Sequence, residues 1–263
     1  MREPAHRIYD ELAWLWPLWG SPADYRVESE LVARLIREHA PSAPRTLLEI
    51  GCGGGNNAFT LKGYFELSGI DISEPMLEHA RRLNPECAFT LGDMRSFTLP
   101  RRFDAVFLGQ SVVYMNTRED LRRAMERAFA HVEAGGVFVC FTEVYEENFI
   151  QNDTGISISS RAGSSTPEGA DPRLDVVFIQ NKFDPDPEDE QFSMALVMLI
   201  RRDGALTIEH DVHTLGVFPL DYWRVCMREA GFVLAAEVPL KGKRGALLFV
   251  CTKPAEGSGE RGR

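Results

Sequence analysis

Residues 49–55 read EIGCGGG and stand between a short apolar run and a predicted helix. Glycines let the backbone turn tightly there, and they let a ligand approach where a Cβ would clash. The start of the helix beyond offers free N–H groups and a partial positive charge. Because open α/β sheets bind nucleotides at such turns, at the carboxyl ends of parallel strands, the stretch indicates a nucleotide site.

The glycine spacing narrows the choice of nucleotide. The dinucleotide fingerprint G-x-G-x-x-G requires glycine at its sixth position, where this chain has Asn56 and places the glycine at Gly55 instead. The phosphate-binding pattern G-x-x-x-x-G-K-[ST] is absent from this turn as well. An NAD-type oxidoreductase is therefore disfavoured but stays an alternative. A second alternative is a non-catalytic protein that has the same α/β fold and only binds an adenosyl group.

Two carboxylates follow the next two predicted strands. Asp71 lies 20 residues after Gly51, and a carboxylate there can accept hydrogen bonds from both hydroxyls of a ribose. Ser73 already supplies the cap of the following helix, so Asp71 is not needed for that role. After the third strand come Asp93 and Met94, where a carboxylate and a backbone N–H can bind an adenine edge. Together with the glycine turn, these groups predict an adenosyl site.

Strands and helices alternate over most of the chain, which is typical of a parallel sheet built from right-handed crossovers. The predicted strands span residues 46–50, 65–70, 87–91, 103–108, 136–141, 234–238 and 246–252, and predicted helices lie at 56–62, from 73 onward, at 118–132 and at 219–230. Two further helices are predicted in the first forty residues. The second of these is expected to place Val27, Leu31, Leu35 and Ile36 on one apolar face.

The alternation is interrupted after the fifth strand. Residues 146–172 are rich in Ser, Gly, Asn and Thr without periodicity and are predicted to be a mobile excursion. Three antiparallel strands are then predicted at 175–183, 191–201 and 205–215. The expected parts of the chain are an N-terminal helical cap at 1–45, an α/β core at 46–145 and 216–253, an insert over the active site at 146–215, and a flexible tail at 254–263.

Five segments in sequence order resemble the successive motifs of the class I S-adenosylmethionine-dependent methyltransferases: LLEIGCGGGN, GIDISEPMLEHAR, GDMRSF, FDAVFLGQSVVYM and EAGGVFVCF. The resemblance covers residues 46–142 and implies S-adenosylmethionine as the cofactor and S-adenosylhomocysteine as the product. It implies a Rossmann-like, seven-stranded, mostly parallel sheet with an antiparallel final strand and helices on both faces. The strand pattern adds a small antiparallel sheet, inserted after the fifth strand.

The resemblance also implies roles for particular residues at the cofactor. Glu49 would lie beside its amino-acid end, Asp71 would bind the ribose, and Ile72 would pack on the adenine. Gln110 would stand close to the sulfonium and the acceptor. The full set implied at the cofactor is Glu49, Gly51, Cys52, Gly53, Asp71, Ile72, Asp93, Met94 and Gln110.

The sequence predicts the chemical nature of the methyl acceptor less precisely than that of the cofactor. Tyr9, Tyr25 and residues 209–219 at the end of the insert are similar to small-molecule methyltransferases and, more loosely, to sugar N,N-dimethyltransferases. Nucleic-acid amino methyltransferases carry an Asn/Asp-Pro-Pro-Tyr/Phe motif after the fourth strand, where this chain has GQSV, so the exocyclic amines of bases are disfavoured. We predict N- or O-methylation of a small molecule, with Tyr9, Trp14 and Tyr25 at the acceptor.

Methyl transfer needs no metal or covalent nucleophile, because the sulfonium is already activated and the protein mainly aligns donor and acceptor. Gln110, Tyr114 and His213 are the candidate catalytic residues. Tyr114 would either steer the acceptor or have a packing role. His213, or alternatively His210, would act as a general base or else have a structural role across the strands. His210, Asp211 and His213 suggest a metal trio, but residues three apart in a strand point to opposite faces, so no metal site is expected.

The formal net charge of −10 disfavours a nucleic-acid partner, and the basic run 241–244 is predicted to be a solvated turn. Neither a signal-peptide pattern nor an uncharged apolar stretch of about 18 residues is found, so no membrane span is expected. Five scattered cysteines, an odd number without a CxxC pair, fit a reducing cytoplasm. A homodimer, through pairing of the insert sheet, is the assembly that the sequence suggests.

Overall fold

The computed structural model describes residues 6–159 and 174–255. The N-terminal part contains two short 3-10 turns (Arg7–Tyr9 and Ala13–Leu15), helix α1 (Trp16–Trp19) and helix α2 (Pro22–His39). Helix α2 begins at a capping box, in which the backbone N–H and the hydroxyl of Ser21 both donate to the Asp24 carboxylate at 2.8 Å. This local hydrogen bonding fixes where the helix starts after the Gly20 break.

The buried face of α2 differs from the predicted one. The side chains buried by α2 are Glu28, Ser29, Val32, Ala33, Leu35 and Ile36. The prediction is wrong for Val27, which is 65% exposed, because it reserved the inner face for apolar residues. Glu28 and Ser29 take inner positions since each has a polar partner there: Ser29 donates to Asn57 and Glu28 accepts from Lys243.

The described residues form eleven strands: β1 (Thr46–Ile50), β2 (Glu66–Asp71), β3 (Ala88–Leu91), β4 (Phe103–Leu108), β5 (Val132–Thr142), β6 (Asp153–Ser159), β7 (Leu174–Phe183), β8 (Gln191–Arg202), β9 (Ala205–Gly216), β10 (Val233–Pro239) and β11 (Leu247–Thr252). The helices after α2 are α3 (Asn56–Leu61), α4 (Glu74–Leu83), α5 (Arg118–His131) and α6 (Leu220–Glu229). Each strand and helix predicted for the α/β part is found within a few residues of its predicted bounds.

Seven strands form one sheet in the order β10-β11-β5-β4-β1-β2-β3. Strand β11 runs antiparallel to both of its neighbours, and β1 to β5 pair in parallel, which confirms the predicted sheet. The register pairs Ile50 with both Ile70 and Leu108. The loops that follow β1, β2 and β4 therefore leave the sheet at the same edge.

Helices cover both faces of this sheet, as predicted. Leu47 and Phe107 are buried in the hydrophobic cluster that includes α2, α3 and α4, whereas Leu48 and Val106 are buried in the cluster that includes α5 and α6. Neighbouring residues of one strand thus bury on opposite faces. A sheet packed on both sides gives the loops at its edge a rigid base.

The other four strands form an antiparallel sheet in the order β6-β7-β8-β9. Three of them match predicted strands, but β6 lies within the predicted excursion at 146–172, so that prediction is wrong for residues 153–159. Their sequence, DTGISIS, has too few apolar side chains to signal a strand, and pairing with β7 orders it. Residues 160–172 of the excursion and 256–263 of the predicted tail lie outside the described residues. The division into cap, core, insert and tail stays a prediction.

The second sheet has one covered and one open face. Its inner face, with Phe178, Leu196 and Met198, packs on Ile8 and Leu15 of the N-terminal segment. Its outer face exposes Ile156, Ile158, Leu206, Ile208 and Val212. Among the helices described, none has the length and apolar character to cross a membrane.

Replacing Val32 by alanine is expected to lower the free energy of unfolding by about 2 kcal/mol, because a fully buried side chain loses apolar area and leaves a cavity. Val27→Ala is the matched control on the same helix. Its side chain is exposed, so the change should stay within about 0.5 kcal/mol. Urea denaturation measures both variants, and equal effects would contradict the orientation of α2.

Candidate active site

The turn after β1 adopts backbone conformations that glycine takes at little cost. Gly51 and Gly53 have φ angles of +66° and +52°. A Cβ on Gly51 would collide with the Ser111 side chain, and one on Gly54 would collide with the Trp16 indole. The turn is therefore packed closely between the loop after β4 and helix α1, with no room for side chains.

Asp71, at the end of β2, joins this turn to the sheet. Its carboxylate accepts hydrogen bonds from the backbone N–H groups of Gly53 at 2.8 Å and Ser73 at 2.9 Å, and burial raises its pKa. Ser73 caps α4, as predicted, because its Oγ accepts from the Met76 N–H at 3.2 Å. A carboxylate has about four acceptor positions, so Asp71 retains capacity for the two hydroxyls of a ribose.

The ends of β2 and β3 lie side by side and offer an apolar surface next to an acceptor. Ile72 is 66% exposed, so its side chain is open to a flat ring. Asp93 accepts from the Arg95 backbone N–H at 2.8 Å and from its guanidinium at 2.7 Å. Burial raises the pKa of Asp93, but these hydrogen bonds outweigh it and lower the pKa overall. Ile72 and Asp93 together suit an adenine: one face of the ring would pack on Ile72, and its amino group would donate to Asp93.

Glu49 lies under the turn and is almost fully buried. Burial raises its pKa to about 8, while a hydrogen bond with Asn57 acts in the opposite direction. Asn57 in turn accepts from the Ser29 hydroxyl at 2.9 Å. Glu49 Oε2 has no hydrogen-bond partner in residues 6–159 and 174–255. Because buried polar atoms are normally paired, this oxygen marks a position for a cationic or hydrogen-donating group of a ligand.

Four side chains form a second set of groups, which we call the tyrosine–histidine row: Tyr9, Tyr114, His213 and Asp211. The Tyr114 hydroxyl lies 2.8 Å from that of Tyr9 and 2.7 Å from His213 Nδ1. His213 Nε2 lies 3.0 Å from Asp211 Oδ2, which also accepts from the Ile8 N–H at 3.0 Å. The row joins the first 3-10 turn, a 3-10 turn after β4 (Gln110–Tyr114) and the inner face of β9.

Burial keeps the phenols and the imidazole of the row neutral at pH 7. It raises the pKa of Tyr9 to about 12 and that of Tyr114 well above its ordinary value; with His6 nearby, it lowers the pKa of His213 to about 4. A neutral imidazole beside a carboxylate donates to it, so we assign the proton to Nε2 and an accepting role to Nδ1. Tyr114 then donates to His213, and Tyr9 donates to Tyr114. The lone pairs of the Tyr9 oxygen stay available to a substrate.

His6 lies at the histidine end of the row. Its ring stacks on His213 with centroids 4.0 Å apart and planes 29° apart, and the ligand atoms of His6, Asp211 and His213 lie within 4.8 Å of one another. Stacked rings direct their nitrogen lone pairs side by side instead of toward one point. The geometry therefore favours hydrogen bonding within the row over metal coordination. His210 is exposed, on the face of β9 opposite to His213, in line with the expected divergence.

Other predicted residues lie around the turn and the row. Tyr25 of α2 hydrogen-bonds with Asn56 at the start of α3, and burial raises its pKa. Gln110 opens the 3-10 turn that ends at Tyr114. Cys52 is buried within the glycine turn, and Met94 packs against the hydrophobic cluster of β1 and β4. The structure thus brings these residues to one edge of the sheet.

Trp14 is not brought to this group. It is 40% exposed, and the Arg202 guanidinium carbon lies 5.4 Å from the centre of its ring. Trp16 lies there instead, with its ring centroid 5.8 Å from that of Tyr9 and its buried Nε1 without a hydrogen-bond partner in the described part of the chain.

His6, Asn57 and Asp211 also lie at the site, although they are not among the site residues predicted from the sequence. The alternation of β9 carried a signal for one of them, since Asp211 and His213 are two residues apart on a strand and share a face. His6 and Asn57 reach the site only through tertiary packing.

Comparison with known proteins decides the family. Residues 47–136 match the family model described as a methyltransferase domain. The chain is 30% identical over 258 residues to dTDP-3-amino-3,6-dideoxy-alpha-D-glucopyranose N,N-dimethyltransferase of Streptomyces fradiae, an alignment that covers 94% of this chain and 92% of that protein. The chain belongs to the class I S-adenosylmethionine-dependent methyltransferases. This confirms the resemblance found in the sequence motifs.

Two further relatives extend the similarity. The chain is 35% identical to dTDP-3-amino-3,4,6-trideoxy-alpha-D-glucopyranose N,N-dimethyltransferase of Streptomyces venezuelae, over 60% of this chain and 70% of that protein. It also matches the S-adenosylmethionine-bound structure of an amino pentose methyltransferase from Micromonospora echinaspora, with a TM-score of 0.74 and 25% identity over 96% of this chain and 99% of that one. The protein is thus an S-adenosylmethionine-dependent methyltransferase for a small molecule, and nothing in the comparisons supports the NAD-type alternative.

The residues of this methyltransferase fit the cofactor at each of its parts. Asp71 has acceptor capacity for the ribose, and Ile72 with Asp93 suits the adenine. Glu49 Oε2 and Trp16 Nε1 are buried next to the glycine turn and have no hydrogen-bond partner within residues 6–159 and 174–255. Both atoms therefore suit the amino-acid end of the cofactor, which requires polar partners.

Asp71→Ala is expected to weaken S-adenosylhomocysteine binding at least 10-fold, because hydrogen bonds to a charged carboxylate contribute about 1.5–3 kcal/mol each. Isothermal titration calorimetry measures the affinity. Asp221→Asn, which changes an exposed carboxylate at the start of α6, is the control and should bind as the wild type does. An unchanged affinity in Asp71→Ala, in a protein with wild-type circular dichroism, would remove Asp71 from the cofactor site.

Proposed function

We propose that this enzyme methylates the amino nitrogen of a nucleotide-linked amino sugar. The observation that carries the proposal is the neutral tyrosine–histidine row beside the cofactor site. The similarity to two proteins named as N,N-dimethyltransferases of dTDP-amino sugars supports it, since one alignment extends over almost the whole chain. The net charge of −10 further supports a small acceptor over a nucleic acid.

The protonation states in the row favour nitrogen over oxygen as the acceptor atom. A hydroxyl acceptor needs a base that removes its proton as the methyl group arrives. His213, with its pKa lowered to about 4, is a poor base at neutral pH. An amine that has lost its ammonium proton to solvent already carries the lone pair that attacks, so at the moment of transfer it requires orientation and no base. The row offers orientation of this kind.

Bound S-adenosylmethionine supplies an electrophilic methyl group on its sulfonium. We propose that the Tyr9 oxygen accepts an N–H of the amine and so turns the nitrogen lone pair toward that methyl group. Tyr114 and His213 hold the Tyr9 hydroxyl in place, and Asp211 fixes the tautomer of His213. Gln110, at the start of the same 3-10 turn as Tyr114, would contact the acceptor from the side of β4.

The proton of the methylated ammonium leaves to water in this scheme. Burial lowers the pKa of His213 to about 4, so its imidazole is a much weaker base than an aliphatic amine and does not take up this proton. We therefore assign His213 an orienting role. A second methylation then requires the monomethylated amine to lose its proton to solvent before it is oriented again.

Tyr114→Phe is expected to lower kcat about 10- to 100-fold with little change in the affinity for S-adenosylhomocysteine, because Tyr9 loses its hydrogen-bond acceptor and the amine loses its orientation. Steady-state kinetics with a dTDP-linked amino sugar give kcat, and calorimetry gives the affinity. Tyr222→Phe is the control, since that hydroxyl donates to the Arg118 carbonyl at 3.1 Å, outside the row. Wild-type kcat in Tyr114→Phe would exclude an orienting role for the row.

We also propose a homodimer that forms through the outer face of the second sheet. The strand register sets Ile158, Val177, Leu199 and Ile208 side by side across all four strands, and Ile158 and Ile208 are about 60% exposed. A contiguous apolar patch of this kind is typical of an interface, and twofold pairing covers it on both copies at once.

The free thiols of all five cysteines support the cytoplasm as the compartment of the protein.

The double variant Ile158→Glu, Ile208→Glu is expected to be a monomer in size-exclusion chromatography with light scattering, whereas the wild type is a dimer. Two carboxylates per copy would have to be buried, unpaired, in the interface. Val27→Glu places the same charge at an equally exposed apolar position on α2 and should leave the dimer intact. A monomeric wild type at about 50 μM, far above the Kd of a stable dimer, would rule out the assembly.

A further inference from the structure

Glu28 is a buried acid that the cofactor motifs do not include. It lies on α2, is 3% exposed, and accepts a hydrogen bond through Oε2 from Lys243 Nζ at 2.7 Å. Its other oxygen, Oε1, is buried and has no hydrogen-bond partner in the two described segments. Leaving a buried carboxyl oxygen unpaired costs free energy, so the position suits a hydrogen-donating group of a ligand.

A second unpaired carboxylate oxygen lies in the same region. Glu49 Oε2 is also buried without a partner, and the charge of Glu28 is one of the causes that raise the pKa of Glu49. Helix α2 and the end of β1 are linked at this point, because Ser29, next to Glu28, donates to Asn57 at 2.9 Å and Asn57 hydrogen-bonds with Glu49. Lys243 is the positive group paired with Glu28. With its pKa raised to about 8, Glu49 is mostly protonated at pH 7, and a ligand cation beside it would favour its carboxylate form. The two unpaired oxygens would then both accept from that cation.

The chemistry of these two acids selects a compact cation that donates several hydrogen bonds, as a primary ammonium does. The cofactor carries such a group, the α-ammonium of its methionyl end, and the glycine turn with Glu49 lies at that end. We propose that Glu28, together with Glu49, binds this ammonium and that Lys243 holds Glu28 in position. The assignment concerns the cofactor, so it does not depend on the identity of the methyl acceptor.

The acceptor amine is the other primary ammonium or amine to consider, and the hydrogen-bond partners separate the two. Ser29, next to Glu28 on α2, donates to Asn57 at 2.9 Å, and Asn57 hydrogen-bonds with Glu49 beneath the glycine turn. The acid hydrogen-bonded within the tyrosine–histidine row is Asp211. We therefore assign Glu28 to the cofactor end of the site.

A pair of ligands tests the proposal. S-adenosylhomocysteine carries the α-ammonium, and 5′-methylthioadenosine keeps the adenosine and the sulfur but lacks the amino-acid end. Glu28→Gln should weaken S-adenosylhomocysteine binding about 10-fold or more in calorimetry, because a hydrogen bond to a charged group is lost, and should leave 5′-methylthioadenosine binding unchanged. Glu30→Gln, an exposed acid of the same helix, is the matched control and should change neither affinity.

Two results would overturn the assignment. One is an equal loss of affinity for both ligands in Glu28→Gln, which would show a general disturbance of the site. The other is an unchanged affinity for both ligands. Glu49→Gln is the second variant and covers the case in which Glu28→Gln does not fold. It should show the same selective loss for S-adenosylhomocysteine, and an equal loss of both ligands would again count against an ammonium site between these acids.

Discussion

The hydrogen bond from the Gly53 N–H to the Asp71 carboxylate is the contact on which both halves of the site depend. It holds the left-handed glycine turn against the end of β2, and the same carboxylate accepts from the Ser73 N–H. The Ser73 hydroxyl then donates to the Tyr9 carbonyl, which fixes the first member of the tyrosine–histidine row. Donor and acceptor positions are thus joined through adjacent residues, so a displacement of the turn would also displace Tyr9.

The acceptor half rests on packing between distant segments. Ile8 and Leu15 are buried against the second sheet, and this brings the Ile8 N–H to Asp211. The same burial excludes water from His213 and keeps its imidazole neutral, which in turn fixes the direction of donation along the row. The inserted sheet therefore supplies two residues of the site and the apolar surroundings that set their protonation state.

The sequence predicts the cofactor half well because its signals are local. A strand buried on both faces, a glycine turn and a capping serine can each be recognised from a few consecutive residues. Asp71 is predicted from its position at the end of a strand. The errors occur where tertiary contacts override local pattern: pairing with β7 orders the polar strand β6, and Trp16 lies over the turn while Trp14 faces solvent. On α2, Glu28 and Ser29 are residue types typical of a surface, yet they are buried because Lys243 and Asn57 supply polar partners from distant parts of the chain.

The buried acids Glu28 and Glu49 also affect the stability of the protein and the order in which its ligands bind. Within the described residues, Glu28 and Glu49 each have one buried oxygen without a hydrogen-bond partner, which costs folding free energy. A ligand cation that pairs with them binds the folded state alone and stabilises it. Because α2 also carries Tyr25, which hydrogen-bonds with Asn56 next to the glycine turn, fixing the helix at its acidic residues also fixes the wall of the site near Tyr9. Cofactor binding then organises the acceptor site, which favours an order in which the methyl donor enters before the methyl acceptor.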